Sequence, residues 1–494
     1  MPDLRLSLCM IVRDEEQTLE RCLASVRGAV DEIVVGDTGS RDGTVALAER
    51  LGARVVHIPW RDDFAWARNQ VVEQATGHWI LSLDADEEVA AGTAPRLREL
   101  IASPEARLRC YRLLLRHHQP DGSAIEYYYG RLFPRHPAVR YVSPIHEAVV
   151  HLEDRDALEY VTTAEVVVDH WGYAQKAIGP RWERNLRLLA SAAASSPDDP
   201  FYAYKIGQHY LDGGRYREAL EHLERAIALA GATRYGYVAQ AYGAAVCALI
   251  QLGLPARAVT RGRAGTKRYP DYPALWYYLG TAHLLAGDSR PAEHCYARAR
   301  SLHGVADEAG REHYQLDRSM VTWRPLHGLG AARLLAGDVA GALRAFQDAL
   351  SLAPDQPDAL LGAAQALLRL ERPAEALPLL ERFATQRPGD DEAEALLARC
   401  RIATGAWQVA YDQLDTLVRA EPGRRLCREA LADVLLAAGE PAAALDVLGP
   451  ALDPVGAAAP FYRQAARALR ELGHADDAAN AEEMARLLSG GRPR

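Results

Sequence analysis

With 494 residues, 49% of them hydrophobic and 25% charged, the chain has the size and composition of a water-soluble protein of two or three domains. A net charge of −9 without a long basic stripe argues against a nucleic-acid partner, and no apolar run reaches the length of a membrane span. The seven cysteines are odd in number and scattered, which excludes paired zinc spacing and fits free thiols in a reducing, cytoplasmic setting; Met1–Glu20 carries acids in place of a signal-peptide core.

Leu4–Val12 reads as a buried strand ended by Arg13-Asp14-Glu15, and Glu15–Val26 then places Leu19, Cys22, Leu23 and Val26 on one helical face. A second strand, Glu32–Gly36, runs into the polar, glycine-rich stretch Asp37–Thr44. There Gly39 and Gly43 permit tight geometry, and Ser40, Asp42 and Thr44 can cap the helix that follows. A third strand, Arg54–Ile58, precedes a helix over about 65–75. A fourth apolar run, Trp79–Leu83, ends abruptly in the carboxylates Asp84, Asp86, Glu87 and Glu88.

Strand–helix alternation at this spacing predicts βαβ units and a mainly parallel sheet with covered faces. Loops that follow parallel strands gather on one sheet edge, so Arg13–Glu15, Asp37–Thr44 and Asp84–Asp86 should converge there. Asp84 and Asp86 are hard oxygen donors one residue apart, and such a pair repels itself unless a cation sits between. No Gly-X-Gly-X-X-Gly or Gly-X-X-X-X-Gly-Lys loop is present, so neither a nicotinamide nor a P-loop nucleotide site is supported.

Ile33–Thr44 resembles the "VVD-GS-DGT" segment of family 2 glycosyltransferases with the GT-A fold. Phe64–Asn69 and Trp79–Glu87 are similar to that family's later nucleotide-sugar and Asp-X-Asp segments. The resemblance covers about residues 4–90. It implies an α/β GT-A domain with a Rossmann-like mixed sheet, a UDP-sugar or other nucleoside-diphosphate sugar donor, a Mn or Mg ion and transfer with inversion. By it Asp37 and Ser40 belong to the nucleoside side with Arg13 and Glu15, Asp84 to the ribose or metal, and Asp86 to the metal. Arg68 and Arg131 are candidate diphosphate partners.

Leu108–Leu115, Glu126–Phe133 and Val139–Val150 alternate as further, mixed or antiparallel strands. Ile145-His146-Glu147 and Val168-Asp169-His170-Trp171-Gly172-Tyr173 are similar to segments of repeat-bearing members of the same family. That likeness makes His146 a third metal ligand, a role that suits a neutral imidazole on Mn. Glu147 is the first candidate for the base that takes the acceptor's proton, with Glu126 or His146 second; no clean copy of the family's usual Glu-Asp or Asp-Asp base segment is present. His170 reads as a structural, packing histidine.

After a connecting helix and the break at Ser195–Pro200, with the boundary between 174 and 199, a 34-residue period takes over. Ala342, Ala376, Ala410, Ala444 and Ala478 mark it, as do Pro354, Pro388 and Pro422. The period resembles tetratricopeptide repeats, with units beginning near 200, 239, 273, 323, 357, 391, 425 and 459, and an insertion near Val305–Val321. The expected domains are thus 1–175 for catalysis, 176–199 as a connecting helix and 200–494 as an α-solenoid of about eight units. The expected function is a metal-dependent glycosyltransferase whose solenoid groove holds a peptide or protein acceptor. A saccharide or lipid-linked acceptor of the lipopolysaccharide type and a non-catalytic repeat scaffold are the alternatives, with a nucleotidyltransferase behind them.

Overall fold

The computed structural model describes residues 4–102, 108–119, 123–171, 179–233, 235–303, 316–449 and 459–490. Within them, β1 (Leu6–Val12), α1 (Leu19–Ser25), β2 (Glu32–Asp37), α2 (Thr44–Arg50), β3 (Arg54–His57), α3 (Phe64–Gln74) and β4 (Trp79–Ser82) alternate as expected. The first, second and fourth strands are apolar on both faces because helices cover both sides. Leu6, Leu8, Met10, Val35 and Leu81 pack with α1 residues, whereas Cys9, Val34 and Ile80 pack with α3 residues.

After β4 the chain forms β5 (Glu87–Val89), α4 (Ala94–Ile101), β6 (Leu108–His118), β7 (Ala124–Pro134), β8 (Val139–Val142), β9 (Ala148–His151) and β10 (Leu158–His170). The main sheet runs β3-β2-β1-β4-β7-β6-β10-β5. Strands β1 to β4 are mutually parallel where they pair, and β7 is antiparallel to both β4 and β6. Val139–Val150, read as one strand, is instead a separate β8–β9 hairpin. The loop Ser143–Glu147 joins its two strands, with Ser143 and His146 in left-handed backbone. Strand β10 lacks a continuous alternation in the sequence because three residues bulge out between Thr163 and Val167, where its register on β6 shifts.

Helix α5 (Pro180–Ser195) leads into helix pairs whose first members begin at Pro200, Gly236, Pro273, Trp323, Pro357, Asp391, Arg425 and Ala459. These are the expected repeat units to within a few residues. The periodic alanines, Ala258, Ala292, Ala342, Ala376, Ala410 and Ala444 among them, have no exposed surface. Small residues let the paired helices close up: a Cβ on Gly280 would lie 2.9 Å from the Tyr296 ring.

Packing divides the chain after Pro325 into the compact units Met1–Pro325 and Leu326–Arg494. Among the contacts that join the early repeats to the first domain are an apolar cluster and a strand pairing. Ile145 packs with Leu188, Leu189 and Ile206. A short strand, β11 (Leu316–Asp317), comes from the expected insertion and pairs antiparallel with β7 at Glu126 and Ile125; the insertion's residues 305–315 lie outside the described residues. No helix among the described residues is long and apolar enough to cross a membrane.

Candidate active site

The ends of β1, β2 and β4 share one edge of the sheet, and the loops after β1 and β2 are hydrogen-bonded to each other. Thr38 N donates to Val12 O (3.0 Å), Asp14 N to Ser40 Oγ (3.0 Å) and Glu15 N to Thr44 Oγ1 (2.8 Å). Asp37 is buried and accepts from the backbone of Gly39 (3.2 Å) and Ser40 (3.0 Å), with Gly39 left-handed. Burial opposes its charge, but the Ser40 and His57 hydrogen bonds outweigh that and hold its pKa below the usual carboxylate value. Arg13 stands exposed at the end of β1.

The Asp84–Glu88 turn rests on two buried arginines. Arg68, on α3, donates to Asp84 Oδ1 (2.5 Å) and to Glu147 Oε1 (2.5 Å). Arg131, on β7, donates to Asp84 Oδ2 (3.2 Å) and to Glu87, and Glu87 Oε2 accepts from Asp84 N (2.9 Å). Burial raises the Asp84 pKa, yet Arg68 and Arg131 overcome it and hold that pKa far below the ordinary range. Glu87 goes the other way, to about 7: burial and the neighbouring Asp84 charge outweigh Arg131.

The expected diphosphate partners Arg68 and Arg131 are therefore engaged inside the protein, with side chains only 7% and 6% exposed. Glu147, expected to be the base, has its Oε1 on Arg68 and its backbone carbonyl on the Tyr129 hydroxyl. Glu126 is buried between Arg116 (3.0 Å) and Arg318 (2.7 Å).

His146, expected as a third metal ligand, makes its ring contact elsewhere. Its neighbour Ile145 is drawn into the apolar cluster with α5, and the left-handed His146 turns outward to the ring of Phe201 (6.2 Å). The imidazole that meets the aspartates is His170, whose Nε2 lies 3.0 Å from Asp86 Oδ2. Strand β5 folds directly back from the aspartates and pairs antiparallel with β10, Glu87 opposite His170, which delivers the ring. Burial lowers the His170 pKa, but the hydrogen bond and charge of Asp86 raise it above the usual value. The sequence signal available was Asp169-His170 at the end of an apolar run, the same strand-end pattern as the Asp-X-Asp; Gly172 and Tyr173 lie outside the described residues.

A divalent cation fits these residues. With all four ionised, the carboxylates of Asp84, Asp86, Glu87 and Glu147 outnumber the guanidiniums of Arg68 and Arg131, so a cation that displaces the His170 proton finds balancing negative charge there. Among the described residues no three His, Cys, Asp or Glu side chains form a ready-made cage. Asp86 and His170 supply two donors, and Mg-type sites commonly complete their shell with water and substrate phosphate.

At the rim, Glu15 Oε1 contacts Arg181 of α5 (3.4 Å). Burial, then Asp86 and Asp84, raise the Glu15 pKa against the pull of Thr18 and Arg181. Arg184 lies over Phe64 (5.1 Å) and Trp60 (5.9 Å). Burial and the nearby charges of Arg181, Arg13 and Arg187 lower its pKa. These rim arginines were not among the expected site residues, because α5 reads as a linker.

Comparison with known proteins finds likenesses in both parts of the chain. Residues 7–121 fit the model of glycosyl transferase family 2. The first domain is similar to family 2 glycosyl transferase domains over that span. Tetratricopeptide-repeat models match residues 204–259, 244–298, 333–382 and 367–434 of the helices behind it. A TPR repeat-containing protein of Synechococcus elongatus is 38% identical over 230 residues, 45% of this chain and 56% of that protein. The SPbeta prophage-derived glycosyltransferase SunS of Bacillus subtilis is 24% identical over 230 residues, 44% of this chain and 52% of its own. The chain thus spans about half the length of these curated relatives. A tetratricopeptide repeat protein of Parabacteroides merdae aligns at 16% identity and a TM-score of 0.43, over 51% of this chain and 94% of that one.

Proposed function

We propose that the protein is a metal-dependent, inverting glycosyltransferase that moves a sugar from a nucleoside-diphosphate sugar, with UDP-sugars first, to a peptide or protein acceptor carried by the repeats. The observation that carries this reading is the meeting of three strand-end loops with the Asp86–His170 pair, inside a domain that matches glycosyl transferase family 2.

In this reading Asp37 and Ser40 hold the nucleoside, and Asp84 keeps a ribose- or water-facing position set by Arg68 and Arg131. Asp86 and His170 hold the cation. Bound there, Mn or Mg neutralises the charge that develops on the departing diphosphate. Arg13, Arg181 and Arg184 are the cations at the rim and take over the diphosphate role first given to Arg68 and Arg131. Glu147 acts through Arg68 as a positioning residue, because its Oε1 is occupied by that guanidinium. The acceptor's proton then leaves to a group other than a free Glu147 carboxylate.

The peptide acceptor is supported by the tetratricopeptide helices, whose grooves suit extended chains. A screen of UDP-glucose, UDP-galactose and UDP-N-acetylglucosamine with Mn, scored by UDP release from the full chain, tests the donor side. Mn-dependent release that Asp86→Ala abolishes supports the reading. No binding or release with any nucleoside-diphosphate sugar would leave the chain a repeat scaffold on a retired fold.

A further inference from the structure

Resting on the assignment of Asp86 and His170 to the cation, we propose that His117 and Tyr127 form an outer shell that fixes which nitrogen of His170 carries its proton, and thereby sets the affinity for the cation.

The placement follows from the sheet. His117 on β6 and His170 on β10 are direct partners in parallel register. Their rings stand edge to face, with centroids 4.3 Å apart at 76°. The two Nδ1 atoms are 3.0 Å apart. On the far side, His117 Nε2 lies 2.7 Å from the hydroxyl of Tyr127, on the neighbouring antiparallel strand β7. A chain of contacts therefore runs Asp86, His170, His117, Tyr127 across three adjacent strands.

Two ring nitrogens that face each other at 3.0 Å need a proton between them, so one ring donates and the other accepts. If His170 donates, its proton sits on Nδ1, and its Nε2, on the Asp86 side, can present a lone pair to a cation. If His117 donates, a neutral His170 carries its proton on Nε2 and offers Asp86 a hydrogen bond in place of a metal ligand. Cation binding selects the first arrangement. His117 then accepts at Nδ1 and donates from Nε2 to the Tyr127 oxygen. Metal-bound histidines are regularly oriented this way, by an acceptor on the nitrogen remote from the metal. The acceptor here is a second imidazole, itself oriented by a phenol. Neither His117 nor Tyr127 needs to touch substrate, so both are positioning residues.

The test is Mn2+ binding to the full chain, read from the free-ion EPR signal with and without UDP, alongside thermal melts of each variant. His117→Ala is expected to raise the Mn dissociation constant about 10–100-fold. His117→Asn puts an amide oxygen where Nδ1 stood and should bind within about 3-fold of wild type, the hydrogen bond being restored. Tyr127→Phe should weaken binding by a smaller factor, about 2–10-fold. Wild-type affinity in His117→Ala overturns the proposal, as does an Asn variant as weak as the Ala variant with an unchanged melt. Should His117→Ala not fold, wild-type affinity in Tyr127→Phe overturns it. Failure of the wild-type chain to bind Mn, with UDP or without, overturns the metal reading itself, a result distinct from the variant outcomes.

Discussion

Asp86 and His170 meet at 3.0 Å because β5 turns straight back from the Asp-X-Asp segment and pairs with the last strand of the sheet. In the proposed reading this contact moves the third ligand from His146 to His170. His170→Ala should reduce Mn affinity and Mn-dependent donor hydrolysis by at least about 100-fold, beyond the 10–100-fold typical of outer-shell changes. His146→Ala, on an exposed ring beside Phe201, should leave both within about 3-fold, as expected of a side chain outside the metal's shells. Calorimetric Mn titrations of the two variants check this, and equal losses would contradict it.

Arg68 is a structural cation before it is anything else. It is buried and bridges Asp84 to Glu147, so Arg68→Ala leaves the largely buried Glu147 carboxylate without its cation and Asp84 with Arg131 alone. Breaking such a buried pair costs about 3–5 kcal/mol. Glu147→Gln should destabilise by a similar mechanism but less, since Asp84 remains on Arg68. Denaturant melts check both; a Glu147→Gln variant with wild-type stability and no activity would restore Glu147 as the base.

What the sequence made legible was what local pattern controls. Apolar runs such as Leu6–Val12 and Trp79–Ser82 became strands, strand–helix alternation made them parallel, and the 34-residue period located the helix pairs. What local pattern leaves out is long-range pairing. Glu87–Val89 is two acids and a valine, with no strand signature, yet it is the strand that pairs with β10 and brings His170 beside Asp86. Arg68 and Arg131 looked like phosphate ligands because an arginine's partner is invisible until the sheet brings Asp84, Glu87 and Glu147 to it. The boundary near residue 199 looked clean because β11, which ties the repeats back to the sheet, is only two residues long.

Acid should loosen the sheet edge remote from the site through Glu32. Its carboxylate accepts from Ser7 Oγ (2.6 Å) and Thr76 N (2.8 Å) and pairs with Arg54 (2.9 Å). Burial opposes its charge, but those partners hold its pKa down at about 2, against 4.5 ordinarily. A depressed folded-state pKa adds stability that is full above the unfolded value near 4.5 and is lost as pH falls toward 2. The contribution is at most about 3 kcal/mol, reduced by screening of a side chain 14% exposed. Glu32→Gln should therefore flatten the loss of melting temperature between pH 4.5 and 2 relative to wild type.

Truncation should respect the packing division. A chain ending at residue 199 loses Ile206 from the cluster around Ile145 and loses Arg318 from buried Glu126. It should aggregate or melt early, as expected when a buried acid loses a cation. A chain ending at Pro325 keeps both and should retain UDP and Mn binding at wild-type affinity, while transfer to the acceptor falls. Thermal shift with and without UDP and Mn distinguishes the two truncations; a stable, UDP-binding chain ending at 199 would contradict the argument.

The rim arginines should behave oppositely to Arg68. Arg181 is 73% exposed on its side chain and touches only Glu15 among the described ion-pair partners, so Arg181→Ala should leave the melting temperature unchanged. Arg184 stacks on Phe64 and Trp60, and its loss costs some packing along with charge. If these arginines carry the diphosphate, each lost charge-assisted hydrogen bond removes about 1.5–3 kcal/mol, or roughly 10–100-fold in affinity. The double variant Arg181→Ala/Arg184→Ala should therefore lose UDP and pyrophosphate binding while uridine binding, which involves no phosphate, is unchanged. Competition titrations with the three ligands in the presence of Mn measure this. Equal loss for uridine would mean that α5 shapes the nucleoside pocket instead of binding the diphosphate, and no loss for any ligand would move the diphosphate away from α5 altogether.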